Sequence, residues 1–352
     1  MTPQWMIYGA NGFTGQLIAR EAVKRGLTPV LAGRSAEAIR PLAGELGLDS
    51  RVFGLGGSGE VLEGIRDMRL VLHCAGPFSR TQRPMLEGCL GTGTHYLDIT
   101  GEHAALEALH WRGPEARQAN VVAVAGVGFD VVPTDAVAVR LAEVLPSATR
   151  LRLAFRGGTL SRGTAITMAE STGEGGLSRQ GGLFVREPVA ARTWQVEHNG
   201  RYSTAVSIPW GDVVTAYYST GIPTVETYLA VPPGAALVMR GNGWLAPLLR
   251  LPALQRLLAE RASRAKGPTE TELREGHTVV WGEVTDRAGN RRAMKLVGPD
   301  GYRFTVESAL AAVGRVLAGG VPAGAWTPSQ AFGAAFVTTL PGVELLQDAR
   351  YA

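Results

Sequence analysis

Gln4-Trp5-Met6-Ile7-Tyr8-Gly9-Ala10-Asn11-Gly12-Phe13-Thr14-Gly15 is the stretch from which the fold of this chain can be read. A short apolar run ends at Gly9, glycine returns at 12 and 15, and an apolar-periodic segment predicts a helix from Phe13 to about Arg25. Strand, tight turn and helix in that order form a cradle for a pyrophosphate. Gly9 turns the chain, Gly12 lets the backbone approach the phosphates, and Gly15 lets the helix pack on the strand. The phosphates belong at the helix N-terminus, where unpaired N–H groups and the helix dipole favour an anion. The spacing is G-x-x-G-x-x-G rather than the commoner G-x-G-x-x-G, and it draws its weight from context, because a second strand follows at 28–32. Gly9, Ala10, Asn11, Gly12, Phe13, Thr14 and Gly15 are therefore the expected dinucleotide ligands.

The second strand runs into Gly33-Arg34-Ser35. A site selective for NAD carries Asp or Glu here, accepting from the ribose 2′-hydroxyl. A carboxylate would repel a 2′-phosphate, whereas a guanidinium grips one with two hydrogen bonds. Arg34 thus points to NADP (NADPH) as cofactor, against the plainer reading of a solvated surface arginine. Ser35 stands beside the same phosphate and at the N-cap of the next helix, 36–46.

The remaining composition narrows the class. At 352 residues and 45% apolar content, the chain can fill the cores of two domains. Lys and Arg total 35 against 31 Asp and Glu, and the basic residues are scattered, so nothing suggests a nucleic-acid partner. Two cysteines, Cys74 and Cys89, make no disulfide framework, and the first strand begins too early to leave room for a signal peptide. A cytoplasmic location is the expectation.

Up to about residue 135, strand and helix periods alternate. Strands are expected at 51–55, 70–75 and 121–125, and helices at 59–66 and from Pro133 to about 145. Such alternation predicts an α/β fold, a doubly wound parallel sheet with helices on both faces. Ligands then lie beyond the carboxyl ends of the strands. There the chain places Ala75-Gly76-Pro77, a wall poor in side chains, and His95-Tyr96-Leu97-Asp98-Ile99-Thr100-Gly101-Glu102. Strand alternation puts Tyr96, Asp98 and Thr100 on one side. Asp98 and Glu102 are the candidates to orient the nicotinamide ribose or shuttle a proton, with Asp98 equally readable as a buried structural acceptor. Thr100 and Gly101 are expected at the ligand. His95, His103 and His110 lack a ligand spacing, so no metal site is expected.

These residues resemble the saccharopine dehydrogenase-like oxidoreductases. The resemblance rests on Gly-Ala-Asn-Gly-Phe-Thr-Gly (9–15), Ala-Gly-Arg (32–34), Ala-Gly-Pro-Phe (75–78), Tyr-Leu-Asp-Ile-Thr-Gly-Glu (96–102) and Gly-Phe-Asp-Val-Val-Pro-Thr-Asp (128–135). The branch it is most similar to includes saccharopine dehydrogenase-like proteins and bacterial trans-acting enoyl reductases. Trp210-Gly211-Asp212, Ser219-Thr220-Gly221-Ile222-Pro223, Gly301-Tyr302 and Thr327-Pro328 extend it. The resemblance implies a Rossmann-type NADP-binding domain (1–148), an inserted α+β domain for substrate or dimerisation (149–301), and C-terminal helices returning to the first domain (302–352). It does not imply saccharopine as substrate, since the arginines that hold that amino acid have no match here.

The second half reads as strand at 150–155, an apolar-periodic segment at 163–177, β-rich stretches at 203–208, 213–218 and 225–231, and a hairpin of 277–286 with 291–297. Helices are expected at 302–317 and 328–336. Runs of strand without long helices predict an antiparallel α+β domain. The apolar stretch 244–258 suits a core helix or a homodimer contact better than a peripheral membrane contact. The expected activity is hydride transfer between NADP and a small molecule in an interdomain cleft. The candidate substrates are an imine/secondary amine or an enoyl lipid precursor. The alternative is an NADP-binding regulatory or redox-sensing protein without catalysis.

Overall fold

A computed structural model describes residues 4–157, 175–242 and 267–347. The apolar stretch 244–258, and 163–174 of the expected apolar-periodic segment, lie outside the described residues. The chain divides into two compact units, one of Met1–Val132 with Tyr302–Gly333, the other of Pro133–Gly301 with Ala334–Ala352.

The first unit holds a seven-stranded parallel sheet. Its strands are β1 (Trp5–Tyr8), β2 (Val30–Gly33), β3 (Ser50–Val52), β4 (Leu70–His73), β5 (His95–Asp98), β6 (Val122–Val124) and β15 (Gly324–Trp326). The order across it is β3-β2-β1-β4-β5-β6-β15, so it runs outward in both directions from β1 and β4. That reversal is the switch point at which doubly wound sheets bind nucleotides. Every residue of β1, β2 and β4 is buried, as short unbroken apolar runs covered on both faces require. The connecting helices are α1 (Phe13–Lys24), α2 (Ala36–Leu46), α3 (Ser58–Ile65), α4 (Phe78–Thr92), α5 (His103–Trp111) and α6 (Gly113–Gln118). Helix α7 (Val132–Val144) begins at the boundary between the units.

Helix α4 had no helical signature in the sequence, because Pro84, Gly88 and Gly91 interrupt its period. Two of these residues serve packing. A side-chain carbon on Gly88 would come 2.4 Å from Val61, and one on Gly91 would come 3.0 Å from Leu62, both on α3.

The second unit is built on a mixed sheet. β10 (Thr193–His198), β11 (Arg201–Ser207), β12 (Thr224–Ala230), β7 (Ala148–Arg156), β13 (His277–Asp286), β14 (Arg291–Pro299) and β16 (Glu344–Gln347) lie in that order. β8 (Gly176–Gln180) pairs with β12 and with β9 (Leu183–Glu187). The expected antiparallel character is broken by one parallel pair, β12 with β7. The expected hairpin forms as β13 and β14, its turn closed by Asn290 donating to Asp286.

The stretch 213–218 is not strand but helix α8 (Asp212–Thr220). Its β-branched and aromatic residues favour strands only where a pleated surface awaits them. Here Val213, Val214 and Ala216 are buried on a helix that stops at Gly221 in the left-handed conformation. Helices α9 (Ala235–Asn242) and α10 (Glu270–Glu275) complete this unit among the described residues.

Of the stretch 302–352, Tyr302–Gly333 groups with the first unit through α11 (Gly301–Leu317), β15 and α12 (Pro328–Phe332). Ala334 onward groups with the second, because Glu344–Gln347 adds a strand to β14. Among the described residues, no helix is long and apolar enough to cross a membrane.

Candidate cofactor site

The turn after β1 gives each glycine a separate physical task. Gly9 has φ +81°, and a side-chain carbon there would meet Ala75 N at 2.7 Å and Ala75 Cβ at 2.8 Å. A side-chain carbon on Gly15 would lie 2.5 Å from the Gly9 carbonyl oxygen. At Gly12 the only close atom among the described residues is that same oxygen, at 3.2 Å, with ordinary φ. Gly9 and Gly15 are thus fixed by the protein's own packing, whereas Gly12 is exposed and leaves room for something outside the chain. The N–H groups of Gly9 and Ala10 donate to the Ala32 carbonyl at 2.8 and 3.2 Å, which ties the turn to the end of β2. Gln16 Nε2 donates to the Asn11 carbonyl at 2.9 Å, and Asn11 Oδ1 fills the space beside Gly33. Phe13 meets Tyr302 edge to face at 5.0 Å. No side chain caps α1, and its first turn, which includes Thr14, carries no acidic residue.

At the end of β2, Arg34 is exposed and makes no hydrogen bond or ion pair among the described residues. Ser35 occupies the N-cap position of α2, yet its hydroxyl donates to Glu37 Oε2 at 3.0 Å and does not cap the helix. The expected side-chain cap is therefore corrected: an exposed carboxylate offers the hydroxyl a charged acceptor outside the helix end. Tyr8 donates to the Phe53 carbonyl at 3.0 Å, and burial pushes its phenol up to about 12, with the Arg34 charge opposing.

Across the switch point, the loop Cys74–Pro77 lies against the glycine turn through Ala75, and its Gly76–Pro77 bond is cis. The following loop supplies the carboxylates. Asp98 is fully buried and accepts from Gln82 Nε2 at 3.0 Å, Tyr96 OH at 2.8 Å, Thr100 N at 3.1 Å and Gly126 N at 2.9 Å. Burial raises its pKa, and these four donors pull against that rise. Glu102 sits at the N-cap of α5, but its carboxylate does not serve α5. It accepts from the Phe78 and Ser79 N–H groups, both at 2.7 Å, at the start of α4. The Thr100 hydroxyl accepts from Glu102 N at 3.0 Å. Both acids proposed from the sequence are thus engaged by the protein, Asp98 within the sheet end and Glu102 between two loops.

A third carboxylate escaped the sequence reading. Asp130, in the loop after β6, fills the space beside Gly101, where a side-chain carbon would come 2.8 Å from its Cβ and 3.0 Å from its Oδ2. Burial pushes its carboxyl up to about 7. The loop is fixed by α11, with Phe129 N donating to Thr305 Oγ1 at 3.0 Å and Ser308 Oγ donating to the Val127 carbonyl at 2.7 Å. The signal was present in Gly128-Phe129-Asp130, an acid set between glycines and a buried helix.

Residues 5–127 match the family model of the saccharopine dehydrogenase NADP binding domain. The chain is 29% identical over 152 residues to the saccharopine dehydrogenase-like oxidoreductase of Bos taurus, covering 37% of this chain and 35% of that protein. It is 33% identical over 140 residues to the trans-acting enoyl reductase of Mycobacterium leprae, covering 37% of this chain and 33% of that protein. These matches thus span about a third of the relatives' own length. In three dimensions it is similar to apo saccharopine dehydrogenase (L-Glu forming) from Saccharomyces cerevisiae, with TM-score 0.68 and 12% identity over 99% of this chain and 100% of that one. Sequence motifs, sheet order and family match therefore converge on one likeness: residues 5–127 are similar to the saccharopine dehydrogenase NADP binding domain.

Proposed function

We propose that the chain is an NADP-dependent oxidoreductase acting on a small molecule, either an imine/secondary amine or the carbon–carbon double bond of an enoyl lipid precursor. The observation that carries this reading is the uncapped N-terminus of α1 behind an open Gly12, with the exposed Arg34 at the neighbouring strand end. That donor set fits a dinucleotide with a 2′-phosphate. The backbone of Gly9–Gly15 would hold the pyrophosphate, and Arg34 with Ser35 the 2′-phosphate. Ala75, Gly76, Pro77, Thr100 and Gly101 would wall the nicotinamide end. When bound, NADPH supplies hydride from its nicotinamide C4.

The protein's own share is orientation and proton handling. Asp98 and Glu102 position the two loops rather than exchange protons. Asp130, held near neutrality by burial, is the group suited to give or take the proton that accompanies hydride. The same reading places the protein in the cytoplasm as a homodimer. Its free cysteines, Cys74 and Cys89, suit a reducing compartment, and light scattering at micromolar concentration tests the dimer.

The deciding experiment follows the nicotinamide absorbance with NADPH and a panel of imines, ketones and enoyl compounds. Turnover of one class supports the enzyme and names its substrate. Tight NADPH binding with no turnover on any class would favour the regulatory alternative.

A further inference from the structure

His73 ends β4 in the middle of the parallel sheet, opposite Tyr8 on β1 and Asp98 on β5. Its ring is fully buried, with the rings of Tyr8, Phe78 and Tyr96 at 5.5, 5.3 and 6.2 Å. In such an aromatic wall a phenylalanine would fill the space without bringing polar atoms. The imidazole instead leaves Nδ1 buried with no partner among the described residues, a standing cost for a residue that only fills space.

The other nitrogen explains why a histidine is tolerated here. His73 Nε2 lies 3.1 Å from Thr81 Oγ1, which lies 2.6 Å from the Ala75 carbonyl oxygen and 3.1 Å from that of Pro77. A hydroxyl has one proton, and at 2.6 Å from a carbonyl that proton points at the carbonyl. Thr81 must then accept from His73, which fixes the Nε2–H tautomer. Burial pushes the imidazole down to about 3, in keeping with a neutral ring. Ala75, the residue at the end of this relay, occupies the space that a side chain on Gly9 would need.

We propose that His73 is a positioning residue of the cofactor site: through Thr81 it fixes the Ala75 carbonyl and so holds the β4–α4 loop against the Gly9 turn. The inference rests on the cofactor reading above and adds to it a residue that acts through others.

The test is a fluorescence titration of NADPH into the full chain and its variants His73→Phe, Thr81→Val, Thr81→Ser and the double variant, with thermal unfolding of each. Either single loss of the relay should raise the NADPH Kd about tenfold, and the double variant should be no worse than the weaker single, because both cut the same relay. Thr81→Ser, which keeps the hydroxyl, should retain wild-type affinity. A folded His73→Phe with wild-type Kd, or losses that add in the double variant, would overturn the inference. Should His73→Phe not fold, Thr81→Val against Thr81→Ser decides: a tenfold gap supports the relay and equal affinities overturn it. Absence of NADPH binding by the wild type would overturn the cofactor reading and this inference together. Tight wild-type binding with unaffected variants would overturn the inference alone.

Discussion

Helices α1 and α4 follow adjacent strands of one parallel sheet, and both start on a glycine- or proline-containing turn whose N-cap residue offers no side-chain cap. Their N-termini nevertheless have opposite fates. At α4 the first two N–H groups are taken by the Glu102 carboxylate, delivered from the loop after β5. At α1 no side chain caps the helix, its first turn carries no acid, and the glycine ahead of it is open. Helix ends of the same kind thus serve different purposes according to whether the protein supplies the anion. An internal carboxylate makes α4 a structural joint, and its absence leaves α1 suited to a phosphate from outside.

The largest effect that sharpens this contrast is expected at Gly12. Gly12→Val should leave folding nearly intact, because only one backbone oxygen lies near, yet weaken NADPH binding by about 100-fold or more. Gly15→Ala should act on the fold as well, lowering the unfolding temperature through its 2.5 Å clash with the Gly9 carbonyl. Calorimetric titration and thermal unfolding of both variants separate the two tasks, and equal NADPH affinity in Gly12→Val would misplace the phosphates.

The next effect lies at α4. Glu102→Ala removes two charge-assisted bonds and should cost about 2 kcal/mol, a fall of roughly 4–8 °C in melting temperature. The variant then has an open helix end like that of α1, so added sulfate should stabilise it more than it stabilises the wild type. Identical sulfate responses would break the contrast.

The smallest effect concerns Asp130. Its folded value of about 7 lies above the roughly 3.9 of an unfolded aspartate. The neutral form therefore stabilises the fold fully at acid pH, and that contribution is lost as pH rises from about 4 through 7. Asp130→Asn should match the wild type near pH 4 and melt about 2–6 °C higher near pH 8, while turnover falls about 100-fold. Melting curves that run parallel across this pH range would contradict a carboxyl raised to about 7.

Much of the first unit was legible because its signals are local. The glycine turn, the alternation of strand and helix, and Arg34 at a strand end all lie within a few residues of what they explain. The hairpin of β13 and β14 was legible for the same reason. What escaped depends on distant partners. Glu102 finds the N-terminus of α4 from 24 residues away, so its role could not be told from that of a residue capping its own helix. The glycines of α4 look like helix breakers until α3 is seen against them. The residues of α8 read as strand because their composition suits a sheet, while burial on a helix decided otherwise. Asp130 is an ordinary acid in sequence, and only its desolvated, half-buried place beside Gly101 makes it chemically distinct.

The central claim is that the open end of α1 and the exposed Arg34 together hold NADP. Its most direct test is the ratio of Kd values for NADPH and NADH in the wild type, Arg34→Ala and Arg34→Asp. A charge-assisted bond to phosphate is worth about 1.5–3 kcal/mol, so Arg34→Ala should weaken NADPH binding about tenfold to hundredfold and leave NADH nearly unchanged. Arg34→Asp should go further and reverse the preference, repelling the phosphate and accepting from a free 2′-hydroxyl. Raising the salt should narrow the wild-type ratio, since an exposed pair is screened. A ratio that stays the same in all three proteins would contradict the account and leave Arg34 a solvated surface residue.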